Sequence, residues 1–304
     1  MSTPTSGGRP LDLYRLQQFL AVADHAGFTS AATELHLTQQ AVSAAIGQLE
    51  RQLGVSLFDR SGRKLRTTEA GSVLREGARV LLAAAASLAE RTHEAGTAAP
   101  RPFVIGHTPA VTAEEVYLLL EPVRAQLPEV SVTAREVFPD ALAQALYDGE
   151  IDLALRRGVA MPPDLASAVI AYDPVRIAVA ASHRFADRER VRIDDLRAES
   201  IIVWAPPGSS FYTDFLLSTC RRAGFEPTFV VNRVQGTPPV TAVADNDHIA
   251  FVTAQAGPAL GGRVAVIDLV DPPLAPTQAL WLPHTVSPIR DLLTVRRTAR
   301  SAAL

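Results

Sequence analysis

Cysteine, long apolar runs and net charge are all scarce in this 304-residue chain, and each shortage removes a class of function. A single cysteine, Cys220, excludes an intramolecular disulfide and any metal site built on a cysteine cluster. Arg221 and Arg222 beside it would act to lower its pKa, but its place within a helical stretch reads as a buried structural residue. No uninterrupted apolar stretch approaches the roughly 18 residues of a membrane span. Residues 1–10 are small and polar, without the basic-then-apolar order of a signal peptide, so the expectation is a soluble protein of the cytoplasm. A formal net charge of −3 means that any affinity for nucleic acid must come from a local patch. Catalytic signatures are missing too. There is no Gly-x-Ser-x-Gly, no glycine-rich dinucleotide or phosphate loop and no His-Glu-x-x-His, and His183, His248 and His284 lie far apart. Neither an enzyme, a cofactor nor a metal is expected. Apolar residues make up 47% and charged residues 20%, an ordinary globular mix long enough for about two cores.

What is present begins as helices. Leu16, Phe19, Leu20 and Ala23 recur at the spacing of one helix face. A short helix follows, with Thr29 as its expected N-cap and Ala31, Ala32 and Leu35 inward. After a turn at His36-Leu37, Thr38 caps a helix whose buried side is Val42, Ile46, Leu49 and Leu53, and Gly54 ends it. Two short extended pieces around Ser61-Gly62 read as a β-hairpin. Thr68 then caps a helix from Glu69 to about Ala95, too apolar around residues 80–86 to stand alone in water, so it needs a partner helix. Residues 96–102 read as a linker. Beyond them strands and helices alternate, the pattern of an α/β region with mainly parallel strands. Strands are expected at 103–106, 130–137, 151–155, 170–181, 200–204, 228–231, 248–252 and 264–269, with one continuous helix carrying Val116, Leu119, Leu120, Val123 and Leu127.

Two helices joined by a tight turn, the second polar on its outer side, form a DNA-reading unit. With Val42 inward, Gln40, Ala44, Gly47 and Arg51 face out, flanked by Gln39, Ser43 and Glu50. Glutamine bonds adenine edges bidentately and serine reaches either kind of base. Arg60, Arg63, Lys64 and Arg66, within seven residues on the hairpin, suit a phosphate clamp or minor-groove wing. Alone, three short helices with a polar face are just a helical subdomain. The basic hairpin and the long helix behind it favour DNA.

The segments Leu16-Gln17-Gln18-Phe19-Leu20-Ala21-Val22-Ala23, Gly27-Phe28-Thr29-Ser30-Ala31-Ala32, Leu35-His36-Leu37-Thr38-Gln39-Gln40-Ala41-Val42-Ser43, Leu53-Gly54-Val55-Ser56-Leu57-Phe58-Asp59-Arg60 and Thr68-Glu69-Ala70-Gly71 resemble the winged helix-turn-helix of LysR-type transcriptional regulators. Beyond residue 100 the resemblance continues more weakly, through Phe103 to Gly106 and Gly149 to Leu155. It implies an all-α winged helix-turn-helix at residues 1–67, a dimerisation helix at 68–95, a hinge at 96–102 and an α/β effector domain at 103–304. That domain would be two-lobed like a periplasmic binding protein, with lobe I at 103–170 and 268–304 and lobe II at 171–267. The crossings would fall near 173–180 and 267–269. The resemblance further implies a homodimer or tetramer on a promoter dyad, RNA polymerase as a further partner, and control by a small effector. By position, Gln39, Gln40 and Ser43 match base readers, and Thr29, Thr38 and Arg60 match backbone contacts. Arg51, Arg63, Lys64 and Arg66 complete the expected DNA set. Ala44 and Gly47 depart from the family, whose members often carry a cation there. His107, Thr108, Phe138, Arg157, Ser209, Ser210, Gln235 and Thr253 are the expected effector contacts. His107, Ala110, Phe138-Pro139 and residues 245–248 depart from common choices, and the aromatic with few fixed cations points to an effector with an apolar or ring portion. The alternative is a constitutive DNA-binding regulator whose cleft is vestigial.

Overall fold

Leu16, Phe19 and Val22 on one face of α1 (Leu13–Asp24) are fully buried, and everything in the first part of the molecule packs around them. The computed structural model describes residues 10–61, 65–96, 101–162, 164–234, 236–283 and 285–294, and the chain falls into two units divided near residue 100. In the first unit, α2 (Phe28–Glu34) and α3 (Gln39–Leu53) supply Ala31, Ala32, Val42, Ile46 and Leu49 to the same core. Phe58 closes it, its ring 5.3 Å from Phe19 and 6.0 Å from Phe28. Asp12 caps α1 through the amides of Tyr14 and Arg15. Thr38 caps α3 through the Ala41 amide, and Gly54 ends α3 with φ at +73°. Thr29 is not an N-cap: Gly27 holds that position without a side-chain bond, and Thr29 sits inside the first turn of α2.

The hairpin β1 (Phe58–Asp59) and β2 (Arg66–Thr67) pairs antiparallel, Phe58 opposite Thr67. Helix α4 (Glu69–Ala95) starts against it. The Thr68 hydroxyl donates to the Ser56 carbonyl (2.7 Å) and accepts from the Gly71 amide (3.0 Å). A Cβ at Gly71 would lie 2.1 Å from the Leu57 carbonyl oxygen, so only glycine allows this approach. Asp24 at the end of α1 clamps α4 through Arg75 (2.6 Å) and Arg79 (2.8 Å).

The second unit holds two sheets. Its elements are β3 (Phe103–His107), α5 (Ala113–Leu119), α6 (Glu121–Gln126), β4 (Val132–Glu136), α7 (Leu142–Tyr147), β5 (Leu153–Arg157), β6 (Ala166–Pro174), β7 (Arg176–Ala180), β8 (Arg190–Val191), β9 (Ser200–Val203), α8 (Phe211–Arg222), β10 (Thr228–Val231), β11 (Ile249–Val252), β12 (Gly257–Ala259), β13 (Val264–Leu269), β14 (Leu274–Trp281) and α9 (Pro288–Thr294). One sheet runs β4-β3-β5-β14-β6; the other runs β10-β9-β11-β7-β13-β12, with β8 beside β13. Ile105, Leu153 and Leu155 pack under α5, α6 and α9 in the first. Ile177, Ile201, Val203 and Phe251 pack on α8 in the second.

The sheets are mixed, not mainly parallel. β3 pairs parallel with β4 and β5, and β9 with β10 and β11. The two strands that arrive from the other lobe, β7 and β14, run antiparallel to every neighbour they meet. The single strand expected over 170–181 is two strands in different sheets, parted at the fully buried Val175. The crossing is pinned by Arg176 Nε donating to Asp268 (2.6 Å), its cross-strand partner. The helix expected over 116–127 is broken at Leu120, because Pro122 has no N–H to continue the ladder. Strand β14 was not foreseen: it carries Pro276 and the polar Thr277 and Gln278, both buried, with a register shift between them. Among the described residues no helix is long and apolar enough to cross a membrane.

Candidate functional site

The first candidate surface is the outer side of α3. Its N-terminus is closed by Thr38, and the next two side chains, Gln39 and Gln40, are exposed and make no hydrogen bond among the described residues. Ser43 is half-buried one turn on, and Arg51 is exposed in the last turn. A Cβ at Gly47 would lie 3.4 Å from the Arg51 guanidinium, which therefore lies back along the helix over the glycine. Glu50, expected to flank this face, instead holds the hairpin. It accepts from the amides of Leu57 (2.8 Å) and Phe58 (3.4 Å) and from Arg60 (3.3 Å). Arg60 also lies 5.2 Å from the centroid of the Phe28 ring, beside the exposed Thr29. Arg66 is exposed on β2 opposite Asp59. The Asp59 carboxyl is held below the usual range by bonds from the Ser61 hydroxyl and amide and by Arg66. Arg63 and Lys64 lie outside the described residues. Along α4, Val73, Leu81 and Leu88 are 68%, 47% and 63% exposed, an apolar strip with nothing over it among the described residues.

The second candidate is a cavity of about 770 Å³ at the strand ends of the two sheets. Of the expected effector contacts, Thr108, Phe138, Arg157, Ser209, Ser210 and Thr253 line it. Gln235 lies outside the described residues. His107 does not line it: the side chain is buried at the end of β3, with Nδ1 2.7 Å from the Val111 carbonyl. Ser209 donates to the Pro206 carbonyl (2.6 Å), and Ser210 caps α8 through the Thr213 amide (3.5 Å). Trp204, Phe211 and Phe251 add aromatic walls that the sequence reading did not include.

Arg157 is in the lining but not free to act there. Its side chain is fully buried and all five donors are spent. Nε donates to the Ala110 carbonyl (3.1 Å), Nη1 to Asp173 (2.5 Å) and Thr277, and Nη2 to Glu115 (2.5 Å) and Thr253 (2.9 Å). Burial acts to lower its pKa, but Glu115, Tyr212 and Asp173 outweigh it and hold the guanidinium charged. Burial pushes the Tyr212 hydroxyl up to about 12, against the opposing pull of Arg157. Glu115 is itself fixed by the reciprocal cap it forms with Thr112 at the start of α5. This knot joins elements of both sheets. Arg157 therefore orders the cavity wall it lines, with its charge met by Glu115 and Asp173.

Cys220 is fully buried on α8, and burial pushes its thiol up to about 11 despite Arg221. It is a packing residue, as its place in the helix suggested. Among the described residues no group of His, Cys, Asp and Glu side chains could hold a metal ion.

Comparison with known proteins bears on both surfaces. Residues 13–72 match the family model described as the bacterial regulatory helix-turn-helix protein of the lysR family, and residues 98–295 match the LysR substrate binding domain. The HTH-type transcriptional regulator AlsR of Bacillus subtilis is 28% identical over 247 residues, which is 81% of this chain and 82% of AlsR. The uncharacterized HTH-type transcriptional regulator YnfL of Escherichia coli is 30% identical over 210 residues, 68% of this chain and 70% of YnfL. Full-length CbnR, solved as a complex with its target DNA, superposes with a TM-score of 0.58 at 22% identity, covering 93% of this chain and 97% of CbnR.

Proposed function

From the premise that the chain belongs to the LysR family of bacterial transcriptional regulators, we propose that it binds a promoter dyad as a dimer or tetramer and that a small effector in the cavity gates that binding. The family makes it a DNA-binding regulator with a helix-turn-helix and an effector domain, not an enzyme. The observation that carries the finer reading is the pair of unspent glutamines, Gln39 and Gln40, at the capped end of α3. In the major groove they read base edges, with Ser43 behind them. Thr29, Thr38, Arg51, Arg60, Arg63, Lys64 and Arg66 contact the backbone, and the hairpin is the wing. The apolar strip of α4 supports pairing through that helix, which sets two reading helices on one duplex. For gating, the effector must bind one arrangement of the two lobes better than another, since equal affinity shifts nothing.

Fluorescence anisotropy with a duplex from the gene's own upstream region tests this. Saturable binding is expected, and Gln39→Ala with Gln40→Ala should relax sequence choice at one operator position while binding to random DNA stays the same. Equal preference before and after the change would remove Gln39 and Gln40 from base reading. A metabolite that raises the melting temperature and alters DNA affinity supports gating; ligand binding without any effect on DNA overturns it.

A further inference from the structure

Two adjacent arginines end β5, and alternation along the strand sends them to opposite faces of the sheet. Arg157 is neutralised by two carboxylates, as described above. Arg156 is not. Its Nε donates to the Gln278 side-chain oxygen (3.0 Å) and its Nη2 to the Ala160 carbonyl (2.8 Å), both neutral acceptors. Nη1 makes no bond among the described residues, and no described carboxylate lies within ion-pair distance of the group. It lines a largely apolar cavity, where a lone cation is costly to hold without an anion. Beside it stands a second unsatisfied group. Thr108 lines the same cavity, is 3% exposed, and its hydroxyl has no hydrogen-bond partner. The Thr108 amide donates to the Leu155 carbonyl (3.0 Å), which sets Thr108 alongside Arg156 at the ends of the parallel strands β3 and β5. The aromatic wall is close as well. A Cβ at Gly158 would lie 3.6 Å from Arg156 Nε and 3.8 Å from the Phe211 ring, so cation and ring flank one glycine.

We propose that this cavity takes an organic monocarboxylate with a ring-sized apolar body, its carboxylate held by Arg156 and the Thr108 hydroxyl and its body against Phe211, Trp204 and Phe138. The inference rests on the effector reading given above and names the ligand class of that site. A carboxylate matches one open edge of a guanidinium plus one hydroxyl. A phosphomonoester, near −2 at neutral pH, does not match a single unpaired cation with Glu114 and Asp140 also in the lining. The volume, about 770 Å³, is within the ordinary range for small-molecule sites.

The test uses the full-length protein with three carboxylate probes, benzoate, cyclohexanecarboxylate and 3-methylbutanoate, and with benzamide as the neutral counterpart of the first. Binding is read by calorimetry and by melting temperature. At least one carboxylate should bind and benzamide should not. Arg156→Met should weaken that carboxylate roughly tenfold to a hundredfold, the range for loss of hydrogen bonds to a charged group. Arg156→Lys, which keeps the charge, should retain part of the affinity, and it guards against a Met variant that fails to fold. Thr108→Val should weaken binding by a smaller factor. Binding of benzamide equal to benzoate, full affinity in Arg156→Met, or no response to any of the three carboxylates overturns the proposal. Carboxylate binding lost in Arg156→Met, with DNA affinity unaltered by the ligand, upholds the ligand class and overturns only the gating.

Discussion

Removing the Arg157 guanidinium would leave the half-buried Glu115 and Asp173 without their counter-charge. Stranding a charge in this way costs about 3–5 kcal/mol. Arg157→Met should therefore lower the urea midpoint of the effector domain far more than Arg156→Met, which separates no ion pair; equal losses would contradict the division of labour between them. This division was not readable from the sequence. The partners of Arg157 come from 16 to 120 positions away, and no local pattern says which arginine they will consume. Cys220 and Tyr212 give a pH prediction. Their pKa values rise from 9.0 to about 11 and from 10.0 to about 12. Above the unfolded value the unfolded chain gives up a proton that the fold retains, so stability is full below pH 9 and declines as pH rises, through Cys220 between 9 and 11 and through Tyr212 between 10 and 12. The slope is about 1.4 kcal/mol per pH unit per group. Chemical denaturation of Cys220→Ala across this range should show the decline beginning about one pH unit later.

At the scale of elements, two glycines of the DNA-binding unit should respond in opposite directions. Gly47 is inside α3 with φ/ψ open to any residue, and its only near neighbour is the flexible end of Arg51. Gly47→Ala should raise stability by about 1 kcal/mol. Gly71→Ala forces a methyl against the Leu57 backbone and should cost about 1–3 kcal/mol, with wing and α4 loosened together. Thermal unfolding separates the two, and a stabilised Gly71→Ala would refute the close contact. The helices here were legible because caps and apolar spacing are local: Thr38, Gly54 and Thr68 all stand where the sequence put them. Thr29 misled because a hydroxyl near a helix start is a common cap, yet the helix is entered two residues earlier, at Gly27. Glu50 misled because its partners, the Leu57 and Phe58 amides, belong to a hairpin whose docking only the fold reveals. In the second unit the parallel strands were legible from their apolar runs. The crossing strand β14 was not, since its buried Thr277 and Gln278 are satisfied by residues far off in sequence, Asp173 and Ala160.

For the whole molecule, the decisive quantity is how many reading helices one particle carries. A single helix-turn-helix makes few base contacts, and here α3 carries only Arg51 as a cation. Joining two such units makes the second binding step intramolecular, which adds roughly 10²–10⁴ in affinity without a new contact. If α4 supplies that joint, Leu81 and Leu88, one heptad apart and largely exposed in the single chain, must be covered in the pair. Leu81→Glu with Leu88→Glu places charge on that strip while leaving the monomer's own core untouched. Light scattering should then report a monomer with an unchanged melting curve for the second unit. Affinity for the full dyad should fall by about two to four orders of magnitude, while affinity for an isolated half-site stays as it was. A double variant that is still dimeric would move the interface off α4. A monomer that keeps full dyad affinity would instead show that one α3 and its wing suffice, and avidity would no longer be needed to make up for Ala44 and Gly47, where relatives often carry a cation.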